Sequence, residues 1–304
     1  GGSLSEANQL VGLFIETGPT VQIRYSGIRS GFVRSFGDND PAVTYDGPMA
    51  VLVNRTSASA SEIFAGAIQD YERGIVLGGQ TFGKGTVQEI IPMDYGQVKL
   101  TRSKFYRISG ASTQHRGVIP DITFPDFYDA YEDIGESSLD GALPWDTVRA
   151  VEYSPYHAIQ ALLPELSALH QERAEDSPDF IYISDQIGRS KELRNRDQIS
   201  LNETVVKVDR DESRKVEFEA ENMRRFLKGL PLREEPRSDT EEEDETTTAP
   251  AANNDVTTAS SAESDAEEVE EKDPLLLESG RILADFMYLN DRHRDALGDV
   301  IPTR

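Results

Sequence analysis

The sequence contains no cysteine. That excludes disulfides, thiolate metal sites and a cysteine nucleophile, and it leaves the compartment open. Long apolar runs are absent too: none approaches the roughly 18–20 residues that would span a membrane, and no signal peptide is visible. The chain begins Gly1-Gly2 without a methionine, so it reads as part of a longer protein. Basic residues are few, 31 against 55 acidic ones, for a net charge of −24. Such a chain lacks the basic face that would displace phosphate counterions, so no nucleic-acid partner is expected. Histidine occurs four times and never before His115, which thins the supply of ordinary catalytic bases.

Hydrophobic residues make up 37% of the chain, below the roughly 45–50% of globular domains, so part of it is not expected to pack. The charge locates that part. Fourteen acidic residues and one lysine lie between Asp239 and Asp273. Residues 238–272 are mostly Glu, Asp, Thr, Ala and Ser, with Val256 and Val269 the only large apolar side chains besides Pro250. They cannot bury enough apolar surface to offset their ordering entropy, and a disordered acidic linker is expected.

What remains alternates helix and strand before residue 146 and is helical after it. Leu4, Ala7, Leu10, Val11 and Phe14 share a helical face, with Ser3 or Ser5 as cap. Gly18-Pro19 ends that helix, and residues 21–25 alternate as a strand. Residues 26–41, rich in Gly, Ser, Asp and Asn, read as loop. Residues 49–53 form a continuous apolar run, expected to be a strand buried on both faces. A helix over 59–71 and a strand over 74–78 follow, implying a parallel, right-handed crossover. Residues 87–92 and 97–108 read as antiparallel strands about a turn at Tyr95-Gly96, and 117–121 as an extended exit. Later, Ile159, Leu162, Leu163, Leu166 and Leu169 mark one face of a helix starting near Ser154-Pro155. Val216, Ala220, Met223 and Leu227 mark a second, ended by Gly229 and Pro231, and 275–290 form a last amphipathic helix.

The block from Ser57 to Gln88 carries the chemistry. Ser59-Ala60-Ser61-Glu62 fits Ser-x-x-Glu, a capping box before an apolar helix. A helix N-terminus after a buried strand also suits a nucleophile, because free N–H groups there can stabilise an oxyanion. The N–H of Ala60 would be one donor, and Gly1-Gly2 is the upstream glycine loop that could supply another. Serine needs a base. His115 lies between Gln114 and Arg116 in a polar turn and is expected to be exposed. Lys84 is the better candidate, flanked by Gly83 and Gly85, with Phe82 and Val87 to exclude water. Burial would have to bring such a lysine from about 10.4 toward 7–8 for it to accept a proton. The glycine run of a P-loop is missing. Gln88, four residues on along extended backbone, can share a face with Lys84 and orient its ammonium. Asp70 lies eleven residues after Ser59 along a helix, about 16 Å away, so it is no base and is expected to hold a loop.

Three stretches, Ser57-Ala58-Ser59-Ala60-Ser61-Glu62-Ile63, Gln69-Asp70-Tyr71 and Thr81-Phe82-Gly83-Lys84-Gly85-Thr86-Val87-Gln88, resemble the carboxy-terminal processing peptidases, most closely the tail-specific protease branch of Gram-negative bacteria. Phe105-Tyr106-Arg107, Ser112-Thr113-Gln114, Pro120-Asp121-Ile122 and Ala142-Leu143-Pro144-Trp145-Asp146 extend the likeness. In that family the serine twenty-five residues before the lysine is the nucleophile, which selects Ser59 over Ser57 and Ser61. The resemblance implies Lys84 as general base, Gln88 as its partner, Ala60 and Gly2 as oxyanion donors, and Asp70 and Glu62 as supports. It implies no metal and no cofactor. The implied fold is α/β, part of a crotonase- or Clp-protease-like βα spiral over residues 1–125. A helical C-terminal domain over 126–237, the acidic linker, and a terminal helix over 273–304 packed back on that domain complete the expectation. The family implies protein substrates with nonpolar C-termini, a periplasmic location and, in some relatives, an outer-membrane lipoprotein adaptor. Its members carry a PDZ-like domain and more catalytic sheet ahead of the glycine loop, so the chain reads as a catalytic and C-terminal part. The alternative is a non-catalytic binding module on the same fold, which would have no need of Lys84.

Overall fold

The computed structural model describes residues 1–26, 31–131, 133–234 and 271–297. The acidic stretch expected to be disordered lies outside the described residues, except for Glu271 and Lys272.

Helix α1 (Leu4–Gly12) starts at Ser3, whose hydroxyl accepts the Glu6 N–H at 3.4 Å. Strand β1 (Gly18–Tyr25) follows and pairs antiparallel with β2 (Val33–Asp38). This corrects the loop expected over 26–41. The composition is loop-like, but pairing with β1 satisfies the backbone, and Gly37 permits the approach. A Cβ there would sit 2.1 Å from the Gly18 carbonyl oxygen. Strands β5 (Thr86–Pro92) and β6 (Gln97–Tyr106) form the expected hairpin. They complete a four-stranded sheet in the order β2-β1-β6-β5.

The second sheet is parallel, β3 (Ala50–Val53), β4 (Ile75–Gly78) and β7 (Ile122–Thr123), in the order β3-β4-β7. Helix α2 (Ala60–Asp70) makes the crossover from β3 to β4. The fully buried strand is β4, not β3 as expected: Ile75, Val76 and Leu77 are inaccessible, whereas Leu52 is 44% exposed. The reason is position, since β3 pairs with β4 alone among the described strands. Ile63 and Ala60 of α2 pack with Ala7 of α1, Val21 and Ile23 of β1, and Phe105 of β6. Each such aliphatic or aromatic burial stabilises by about 1.5–3 kcal/mol. Together they fix where the N-terminus of α2 points.

Two compact units are present, one of Gly1–Asp176 with the last described helix from Pro274, the other of Ser177–Asp273. In the first unit, residues 146–157 run as an extended strap. Val148 and Val151 donate N–H bonds to the Gly110 and Ile108 carbonyls, and Tyr156 donates to that of Tyr71. Helix α3 (Ile159–Glu175) therefore begins later than its Ser154-Pro155 signal suggested. Its buried residues are Ile159, Leu162, Leu166 and His170. It packs against the last described helix, numbered α6 here (Pro274–Leu297), which also touches β3 and β4. Buried Glu278 of α6 meets His170 at 3.0 Å and Arg173 at 2.8 Å.

The second unit holds α4 (Pro178–Arg194) and α5 (Glu203–Leu227). The sequence reading did not anticipate α4, and the expected apolar face of α5 is a correction. Val216, Met223 and Leu227 are exposed, while Glu221 is buried beneath the guanidinium groups of Arg224 and Arg225.

Candidate active site

The turn after β3 is tied down before the helix starts. Ser57 donates its N–H to the Asn54 carbonyl at 2.9 Å, and the Ser57 hydroxyl accepts the Asn54 N–H at 3.2 Å. The chain then enters α2 through Ser59 at φ 58°, ψ −110°, outside the small left-handed region that L-residues tolerate. Such a conformation costs about 1–3 kcal/mol and persists only where surrounding contacts impose it. The half-buried Ser59 side chain thus stands at the positive end of α2, beside Ala60. The glycine loop lies against it. A Cβ on Gly1 would be 3.2 Å from the Ala58 carbonyl oxygen and 3.4 Å from Ser59 Cβ, and one on Gly2 would be 3.9 Å from Ala60 Cβ. The structure therefore brings Gly2, Ala60 and Ser59 together.

The contact that imposes the turn is Glu62, and it does more than cap. Its Oε2 accepts the Ser59 N–H at 2.6 Å and the Lys84 N–H at 3.0 Å. Its Oε1 accepts the Thr81 hydroxyl at 2.6 Å and the Gly83 N–H at 2.7 Å. One inaccessible carboxylate thus joins the serine turn to the lysine loop. Burial pushes the Glu62 carboxyl from 4.5 up to about 7, against the pull of those four hydrogen bonds.

The lysine loop is held at every backbone position from 81 to 85. Thr81 donates to the Val118 carbonyl, Phe82 to that of Ser57, and the Gly83 and Gly85 carbonyls accept from His115 and Phe105, all between 2.9 and 3.2 Å. Gly83 takes φ 92°, and a Cβ there would lie 2.8 Å from the His115 carbonyl group, so glycine is required. The Gly85 N–H goes to Gln114 Oε1 at 2.9 Å. From this loop half-buried Lys84 extends to Gln88, Nζ to Oε1 3.5 Å, on the strand that begins at Thr86. A bulge between Val87 and Gln88 breaks the β5–β6 register at that point, and Gln88 is exposed.

Asp70 lies at the far end of α2, apart from this group. It accepts from Nε and Nη2 along one edge of the Arg107 guanidinium and from the Ser109 hydroxyl, 3.1 Å away, which anchors α2 to the end of β6. His115 is half-buried rather than exposed, with φ 65°. Its backbone serves the lysine loop, and its shielded Nε2 has no hydrogen-bond partner among the described residues. The sequence reading gave Glu62 one bond of its four, and it missed Thr81 and Gln114 as loop anchors. Their signal was present as buried polar types inside motifs that also hold the site.

Comparison with known proteins divides the chain into two matched parts. Residues 1–124 match the model of peptidase family S41, and residues 130–288 match that of the C-terminal domain of tail specific protease. The chain is 39% identical over 239 residues to a tail-specific protease of Haemophilus influenzae, covering 74% of this chain and 34% of that one. It is 41% identical over 147 residues to a carboxy-terminal-processing protease of Bartonella bacilliformis, covering 46% and 33%. The chain thus spans about a third of the length of these curated relatives. Among solved structures, a photosystem II D1 C-terminal processing protease is 32% identical over 41% of this chain and 32% of its own, with a TM-score of 0.34, too low to carry an argument.

Proposed function

From a chain that belongs to the family defined by the C-terminal domain of tail-specific protease, with residues 1–124 matching peptidase family S41, we propose the catalytic and C-terminal portion of a serine endopeptidase working through a Ser59–Lys84 dyad. The observation that carries this reading is the single buried carboxylate of Glu62, which fastens the serine turn and the lysine loop to each other.

In this reading Lys84 takes the proton of the Ser59 hydroxyl as its oxygen attacks the scissile carbonyl. The Gln88 carbonyl oxygen receives the ammonium so formed, and Lys84 returns the proton to the leaving amine. The N–H groups of Ala60 and Gly2 face the developing oxyanion, helped by the N-terminal end of α2. Water repeats the cycle on the acyl-enzyme. Asp70 and Glu62 hold the frame and touch no substrate. The substrates are proteins chosen by a nonpolar C-terminal tail, met in the periplasm, where an outer-membrane lipoprotein adaptor could present them.

The test is cleavage of an unfolded protein ending in nonpolar residues by the full-length enzyme that contains this chain. Ser59→Ala and Lys84→Ala should each lower kcat/KM by about 10³-fold or more, as loss of a unit-acting catalytic group does. Undiminished cleavage in either variant would end the dyad reading.

A further inference from the structure

The lysine loop is also held by Glu136, a residue of the matched C-terminal domain. Glu136 begins a short 3-10 turn (Glu136–Ser138) and lies within the 130–288 match. Its N–H donates to the Phe82 carbonyl at 2.9 Å, two residues before Lys84. Its carboxylate accepts Gln114 Nε2 at 3.0 Å. Gln114 is inaccessible, and its other amide atom, Oε1, accepts the N–H of Gly85, the residue just after Lys84. Glu136 therefore reaches both flanks of the lysine, one directly and one through Gln114.

The arrangement has one workable orientation. With Glu136 as acceptor, the Gln114 amide must turn its oxygen to Gly85. Reversed, its NH₂ would confront the Gly85 N–H and its oxygen would confront a carboxylate. The contact is close enough to transmit that choice, since a Cβ on Gly85 would lie 2.7 Å from Gln114 N. Gly135, at φ 137°, keeps the neighbouring backbone near the Phe82 carbonyl.

We propose that Glu136 is a positioning residue for Lys84, so that the C-terminal domain completes the geometry of the catalytic dyad. This rests on the reading of Lys84 as the base. Glu62 fixes the loop from α2, and Glu136 with Gln114 fixes the residues flanking the lysine. Without the second hold, the loop is free to shift its lysine by the ångström that costs a catalyst up to about 100-fold.

The experiment uses the full-length enzyme and compares Glu136→Ala, Glu136→Gln, Lys84→Ala and wild type in cleavage of the same unfolded protein. Hydrogen exchange is followed on the peptide spanning residues 81–88. Glu136→Ala should lower kcat by about 10- to 100-fold with KM within about threefold, and exchange at 84–85 should speed up while the β4 amides stay protected. Glu136→Gln, which keeps an oxygen for Gln114, should restore kcat to within about threefold of wild type. An unchanged kcat in Glu136→Ala, a change confined to KM, or exchange that speeds up equally in β4 would overturn the proposal. If Lys84→Ala retains activity, the dyad reading falls on that result alone. The exchange data still decide whether Glu136 holds the loop.

Discussion

Glu62→Gln separates the two forces acting on the carboxylate at the centre of the site. Burial favours the neutral acid, while the four donors, from Ser59, Thr81, Gly83 and Lys84, favour the anion. The balance leaves the carboxyl raised from 4.5 to about 7. A raised carboxyl means that the native state binds its proton more tightly than the unfolded chain does. Its contribution to stability is then complete below about pH 4.5 and is lost as pH rises to about 7. At about 1.4 kcal/mol per pH unit, the loss is about 3 kcal/mol. Glutamine has no such dependence. It resembles the protonated acid in shape and in pairing one accepting oxygen with one donating group, so variant and wild type should be close in stability near pH 4.5. By pH 8 the variant should be the more stable by about 3 kcal/mol, roughly 1 M in the urea midpoint. Its activity should nevertheless fall above about pH 7, where the wild-type carboxylate is ionised and accepts from all four donors, because an amide cannot do so and the lysine loop loosens. The assay is urea unfolding of both proteins at pH 4.5, 6, 7 and 8. A stability difference that stays constant, or that turns in favour of wild type as pH rises, would show that the hydrogen bonds outweigh burial and would refute the reasoning.

Further outcomes follow from the same geometry. Ser59→Gly should be about 1 kcal/mol more stable than Ser59→Ala, because glycine relieves the φ 58° strain; equal urea midpoints would deny that the turn is strained. Gly83→Ala forces a Cβ against the His115 backbone at φ 92°, so it should lower kcat about 10- to 100-fold by moving the lysine loop, read by steady-state cleavage. Asp146 accepts from Lys104, Arg24 and Tyr106 and pins the strap to β6. Its side chain is about a third exposed, so Asp146→Ala should cost about 1–3 kcal/mol, less than a fully buried pair. Limited proteolysis within 139–151 should quicken at the same time.

The parts of the fold that were legible are those whose local signal agrees with their environment. The crossover from β3 through α2 to β4 follows from an apolar strand, a capped helix and a second strand in close succession. The β5–β6 hairpin follows from two strand-like runs about Tyr95-Gly96. Strand β2 was hidden because Ser, Gly and Asp favour turns, and only its partner β1 makes it a strand. Helix α4 was hidden because it buries little beyond Phe180 and Ile187, although Ser177 and Pro178 gave a usable start signal. The exposed side of α5 was misjudged because a charged residue, Glu221, is buried once two arginines neutralise it. At the candidate site, the glycine-flanked lysine and the glutamine four residues on were candidates from their spacing, and the choice of Ser59 came from the family resemblance. Spacing could not give the bracing of the lysine loop by Glu62, Gln114 and Glu136, since those bonds join residues 19 to 54 positions apart across loops.

The central claim is that Ser59 is a nucleophile activated by Lys84, and labelling tests it without knowledge of the natural substrate. The full-length enzyme is treated with a serine-directed phosphonate, and the modified residue and its rate of modification are read by mass spectrometry. The account predicts a single adduct on Ser59, slowed about 100-fold or more in Lys84→Ala. An adduct on another residue, or an equal rate on Ser59 without Lys84, would contradict it.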